Sequence, residues 1–246
     1  KTKPQARTRD LGKGSIPKLL AQLAIPVVVA QIVNLLYNIV DRIYIGHIPG
    51  IGAAALTGVG LFAPILMLIN AFAMLSGSGG APRAAIFMGK KDNETAEKIM
   101  ANCFSLILIF AVGLTILFSI FAPRLLILFG ASDATLPYAV EYARIYIFGS
   151  IFVLIVLGMN LFITTQGFSK ISMMTTLIGA VINVILDPIF IFVFGMGVKG
   201  AALATVLSQA LSATWVLTFL LGKQTTLKLR LKNFRLQGRV ILPCVL

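Results

Sequence analysis

Six apolar stretches, each about 20 residues or longer, limit what this chain can become. Inside a bilayer the backbone finds no water, so a stretch of that length must close its own hydrogen bonds as a helix. The stretches fall at about Leu19–Gly46, Ala53–Leu75, Thr95–Phe121, Leu136–Phe162, Ile171–Phe194 and Ala201–Leu221. Only 12% of the 246 residues are charged and 58% are hydrophobic, about half the charged share usual in soluble domains. An all-α integral membrane protein with a six-transmembrane-helix bundle is therefore predicted.

A net charge of +13 would suit a nucleic-acid partner, but its distribution argues against one. Of the 21 Lys and Arg, all but Arg42, Arg124, Arg144 and Lys199 fall before the first span, after the sixth, or in the connections between spans two and three and spans four and five. By the positive-inside rule those segments, and both chain ends, are cytoplasmic. Residues 1–18 read as a basic cytoplasmic N-terminus and 19–221 as the transmembrane lobe. Residues 222–239 read as a basic connector, and 240–246 as the start of a seventh helix. Within the connector, Leu227 to Leu236 alternates apolar and mostly basic residues, a period of two that predicts an extended stretch lying on the cytoplasmic leaflet. Cys103 and Cys244 lie in apolar runs, so no disulfide framework is expected. No apolar h-region follows the basic start closely enough for a secretory signal. The chain opens on Lys1 rather than Met, and seven residues after Arg239 cannot cross a bilayer, so the sequence reads as a fragment.

The chemistry concentrates in Asn183-Val184-Ile185-Leu186-Asp187-Pro188, inside the fifth stretch. A carboxylate within a span costs roughly 2.5–3.5 kcal/mol on insertion scales and normally faces protein or water. Asn183 and Asp187 are four apart and share a helix face. Pro188 donates no backbone hydrogen bond, which frees the Val184 carbonyl one turn back. An acid, an amide and a loosened carbonyl make a polar site for a cation or a proton. The bland alternative is polar glue between helices.

Other polar residues punctuate the spans. Pro26 lies early in span one, where it bends the helix or lets its first turns move separately. Tyr37 and Asp41 are one turn apart near the outer end of that span, and Asp41 could instead pair with Arg42. His47 is expected at the water boundary. Ser76-Gly77-Ser78-Gly79-Gly80 allows close packing or a break, and it lacks the GK[ST] of a phosphate loop. Asn93 is expected to cap span three, which is expected to end at Pro123, with Leu125–Phe129 lying in the interface. Glu141 and Arg144 are expected to pair at the outer end of span four, which also carries Tyr142 and, at its inner end, Asn160. At 1.5 Å per residue, Asp41, Tyr142, Asp187 and Thr205 all lie roughly 8–12 Å below the outer ends of spans one, four, five and six. They form one layer.

Gly14-Ser15-Ile16-Pro17-Lys18, Pro26 and Leu36-Tyr37-Asn38-Ile39-Val40-Asp41 up to Ile45-Gly46 resemble the first span of the multidrug and toxic compound extrusion (MATE) transporters. Asn183 to Phe190 and Gly197-Val198-Lys199-Gly200-Ala201-Ala202-Leu203-Ala204-Thr205 are similar to the fifth and sixth helices of prokaryotic members. The resemblance implies the N-terminal lobe of a twelve-helix antiporter in a bacterial or archaeal plasma membrane. Such a protein exports cationic or amphipathic small molecules in exchange for Na⁺ or H⁺, with no other cofactor. It also implies a C-terminal six-helix lobe absent from this chain. By the same resemblance Asp41, Asn183, Asp187 and Thr205 form the cation site and would be the metal ligands if the ion is Na⁺. Tyr37, Tyr142 and Asn160 face the substrate cavity, and Pro26 is the hinge.

Oxygens from Asp, Asn and Thr suit a hard cation, and a close Asp41–Asp187 pair would titrate as one coupled unit. Ion and drug would be coupled if filled and empty sites favour different bends of helix one. A cavity lined by Tyr, Phe and Met would accept many amphipathic cations. A lipid-linked oligosaccharide flippase of the same superfamily would need cationic side chains for a pyrophosphate, and the spans offer only Arg144. An intramembrane prenyltransferase would need clustered acids for Mg²⁺, and no other acid lies within four residues of Asp187. An enzyme is not expected.

Overall fold

The computed structural model describes residues 16–230 together with Phe234, Gly238 and Cys244. The expected basic N-terminus up to Ser15 and, apart from those single residues, the connector beyond Arg230 and the start of a seventh helix lie outside the described residues. Among the described residues, seven α-helices make six stretches long and apolar enough to cross a membrane. They are α1 (Ile16–Gly46), α2 (Gly52–Leu61), α3 (Ala63–Gly89), α4 (Asn93–Leu128), α5 (Leu136–Thr165), α6 (Ser169–Pro188) and α7 (Val198–Leu221).

The second crossing is α2 and α3 together, interrupted at Phe62. Pro64 lies in the first turn of α3, where its missing N–H is tolerated, and it stops α2 from running on. Of the close packing or break that Ser76–Gly80 allows, the structure takes the close packing. Those residues stay helical because their small size is used for packing: a Cβ at Gly77 would come 2.8 Å from the Gly158 carbonyl oxygen of α5.

Asp92, not Asn93, caps α4, accepting the Thr95 backbone N–H at 3.0 Å. The Thr95 hydroxyl, together with that backbone N–H, holds the exposed Asp92 carboxyl below its usual value. The helix passes through Pro123 to Leu128, so Leu125–Leu128 extends the span instead of lying flat. A membrane helix tolerates the freed carbonyl when neighbouring groups satisfy it.

The bundle is centred on α5, which packs against α7, α3 and α4 along its length. Its Ala139, Leu154, Met159, Phe162 and Ile163 are wholly buried. Gly167, at φ +86°, turns the chain into α6. Asp187-Pro188 ends α6, and a π-helical turn follows at Ile189–Val193, absorbing the donor that Pro188 lacks. Where α5 meets the start of α7, Glu141 pairs with Lys199 at 3.3 Å, not with Arg144 as expected. Helix α1 stands at the edge, packed chiefly on α6. Most of its apolar residues, Leu35, Leu36 and Ile43 among them, remain exposed.

Candidate functional site

Three helices meet near the C-terminal ends of α1 and α6 and the N-terminal end of α7. Asn183 and Asp187, one turn apart, are both fully buried. The Asn183 amide donates to Asp187 Oδ1 at 3.3 Å and to the Thr205 hydroxyl at 3.4 Å. Thr205 donates in turn to the Ala201 carbonyl at 3.0 Å, which aims its oxygen lone pairs at the cluster. Asp41 comes in from α1, and its carboxyl lies within hydrogen-bonding reach of Asp187. Neither carboxyl brings a donor. Asp41 Oδ1, Asp187 Oδ2 and Asn183 Oδ1 are buried with no hydrogen-bond partner. Orphaned acceptors at this density are costly unless a proton or a cation sits among them.

Tyr142 is buried beside this cluster, its hydroxyl within reach of Thr205. Its ring lies 5.6 Å from that of Phe62 and 5.8 Å from that of Tyr146, and those two are 5.4 Å apart, centroid to centroid. This aromatic wedge fills the space between α2 and α5 beside the cluster. His47 Nδ1 lies 2.7 Å from the Ile43 carbonyl oxygen, exposed at the end of α1.

A cavity of about 400 Å³ opens between α1, α3, α5, α6 and α7. Tyr37 and Asn160 line it, whereas Tyr142 stands back from its wall. The wall differs from the expected Tyr, Phe and Met lining. Among its described lining Tyr37, Tyr146 and Met74 are present but no Phe, and aliphatic residues share the wall with the amides Gln31, Asn34, Asn38, Asn70, Asn160 and Gln209. Phe62 and Tyr142 stand in the wedge behind the wall, and Tyr146 belongs to both. Asn160 donates to the Ser172 carbonyl at 3.2 Å, while its own Oδ1 is buried without a partner. None of the described lining residues is charged. Tyr37 belongs to both places, since it lines the cavity and lies one turn from Asp41.

The structure therefore brings Asp41, Asn183, Asp187 and Thr205 together, with Tyr142 against them and with Tyr37 and Asn160 on the adjoining cavity. Pro26 is buried inside α1, below that cavity's Val27. The sequence reading missed Gln31, Asn34, Asn70 and Gln209. A signal was present: Gln31, Asn34 and Asn38 recur at helical spacing and continue to Asp41, a polar stripe along one face of an apolar span. Among the described residues no group of three or more His, Cys, Asp or Glu is placed to hold a metal. A hard cation here would depend on amide and hydroxyl oxygens beside the two carboxyls.

A six-helix membrane lobe with a paired-carboxylate pocket beside a polar cavity is a transporter architecture, and the comparisons agree. The MatE family model matches residues 26–189, and the chain belongs to that family. It is 26% identical over 221 residues to the multidrug export protein MepA of Staphylococcus haemolyticus, an alignment covering 90% of this chain and 48% of that protein. Against the MepA of Staphylococcus saprophyticus it is 27% identical, covering 91% and 49%. Among solved structures it is similar to an outward-facing multidrug resistance MATE family transporter of the MOP superfamily. There the TM-score is 0.89 at 29% identity, over 99% of this chain and 53% of that one. A MOP superfamily transporter from Pyrococcus furiosus, described as having reverse polarity of its binding pocket, gives 0.88 at 29% identity over the same shares. The chain thus spans about half the length of the relatives it matches.

Proposed function

We propose that this chain is the cation-coupled lobe of a multidrug efflux antiporter that works by alternating access with a second six-helix lobe. Both chain ends face the cytoplasm of a bacterial or archaeal cell. The observation that carries the reading is the pair of facing carboxyls, Asp41 and Asp187, with three orphaned buried oxygens around them. Two acceptors cannot hydrogen-bond without a proton between them, and Na⁺ would satisfy the same oxygens. Competition between the two for one pocket is the basis of exchange. Asp41 rides on α1, which is held chiefly through α6, and Pro26 breaks the hydrogen-bond ladder of that helix. An ion shared between α1 and α6 therefore favours one setting of α1 over another, by as much as it binds that setting better.

The cavity supports the cargo reading. Its amides and two tyrosines offer carbonyl oxygens and ring faces to a cationic or amphipathic molecule without fixing its shape. The absence of Lys and Arg from its described lining disfavours a lipid pyrophosphate. A second lobe of similar size is supported by the half-length match to relatives and by the exposed apolar side of α1.

The test is efflux from proteoliposomes, driven by a Na⁺ or pH gradient, with the lobe joined to its second half. Asp41→Asn and Asp187→Asn should each abolish driven efflux while leaving membrane insertion intact. Efflux retained in both would sink the assignment.

A further inference from the structure

Two buried polar residues on the cytoplasmic side, Gln166 and Glu97, belong neither to the cluster nor to the cavity. Both are 7% exposed. Gln166 ends α5, and its Nε2 donates to the Phe162 carbonyl at 2.9 Å, which fixes the side chain so that Oε1 faces outward. That single oxygen receives the Thr225 hydroxyl at 2.7 Å, the Thr226 N–H at 3.0 Å and the Leu227 N–H at 2.9 Å. Glu97, near the start of α4, accepts the Lys228 N–H on Oε1 at 3.1 Å and pairs through Oε2 with Arg230 Nε at 2.8 Å.

The segment after α7 is therefore clamped to the lobe. Its alternation is real, but the apolar residues turn into the protein instead of lying on lipid: Leu227 and Leu229 are buried, and the Leu229 N–H closes on the Leu220 carbonyl at 3.0 Å. Farther along, the Phe234 carbonyl accepts from Ser105 at 2.9 Å and its ring packs on Phe104. The track runs from the end of α7, beneath α5, to α4. A carboxylate and an amide, buried and saturated by one passing strand, are an expensive way to cover a surface and an effective way to fix a strand's position.

We propose that Gln166 and Glu97 are positioning residues that fasten the segment leaving α7 to this lobe, so that the lobe's movement is passed to the one that follows. This rests on the two-lobe exporter reading. The first test does not: hydrogen exchange on the chain in lipid nanodiscs, comparing the unsubstituted protein with Gln166→Ala, Glu97→Ala and the exposed-site variants Arg230→Ala and Arg230→Lys. The amides of Thr226 and Leu227 should exchange about tenfold faster in Gln166→Ala, and that of Lys228 in Glu97→Ala, with α5 and α7 unchanged. In reconstituted transporter, Arg230→Ala should lower turnover per inserted molecule several-fold at unchanged KM, and Arg230→Lys should restore it. A merely structural role would alter the amount inserted and not that split. Unchanged exchange in both alanine variants overturns the anchor. Loosened amides with unsubstituted turnover overturn its role in coupling. An unsubstituted protein that exports nothing refutes the exporter reading instead, and exchange still decides the anchor.

Discussion

Gly200 sets how closely α7 approaches the turn that follows Asp187-Pro188. A Cβ there would lie 2.7 Å from the Phe190 carbonyl carbon, 2.8 Å from its oxygen and 2.9 Å from the Ile191 nitrogen. All three are backbone atoms, so no rotamer change relieves the contact. Restoring a separation of about 3.5 Å requires α7 to withdraw by roughly 0.7 Å. Overpacking of this kind costs about 1–3 kcal/mol. The same withdrawal stretches the Asn183–Thr205 contact, already 3.4 Å, beyond hydrogen-bonding range. Gly113, mid-helix in α4 with nothing within 4 Å of its Cβ position, is the control: alanine there should stabilise by about 0.5–1 kcal/mol. Reversible unfolding in mixed detergent–SDS micelles measures both. Gly200→Ala should be less stable and Gly113→Ala equal or better. If the two variants proved equally stable, the account of α7 resting on the π-helical turn would be wrong.

Pro26→Ala restores a backbone donor inside α1 and should slow turnover while leaving equilibrium substrate binding intact, as measured by efflux rate against binding affinity; unchanged turnover counts against the hinge. Asn160→Leu removes a half-buried amide from the cavity wall and should weaken substrate binding several-fold without altering ion-driven cycling of other substrates. Asp92 carries a pH effect at the exposed start of α4. Its folded value is depressed by the Thr95 hydrogen bonds, so its contribution is fully present above the ordinary carboxylate value of about 3.9 and is lost as pH falls through the lower folded one. Protection of the Thr95 amide, measured against its intrinsic exchange rate at each pH, should fall across that acidic window in the unsubstituted protein and be low at every pH in Asp92→Ala.

The spans were legible because a bilayer imposes length and apolarity residue by residue. The outer layer of Asp41, Tyr142, Asp187 and Thr205 was legible because depth follows from a fixed rise per residue. Direction around the helix was harder. Tyr142 shares that depth but faces Phe62 and Tyr146 rather than the cavity, and rotation of α5 is settled by packing, not by its own sequence. Glu141 found Lys199 at the start of α7, a partner on another helix that local spacing does not reveal. Gln166 and Glu97 gave no local sign at all, since the partners of their carboxyl and carbonyl oxygens lie 59 residues or more away. Pro64 and Pro123 show how context decides the same residue type. One falls in a first turn and ends the preceding helix; the other falls within a long span and is carried through.

The central claim is that Asp41 and Asp187 hold one exchangeable cation between them. Infrared difference spectroscopy of the carboxyl bands, recorded as pH is varied with and without Na⁺, reads this directly, using Asp41→Asn and Asp187→Asn to assign each band. The account predicts that replacing either aspartate shifts the titration of the other, because the two act as one coupled group. Each carboxyl titrating as before in its partner's absence would contradict it.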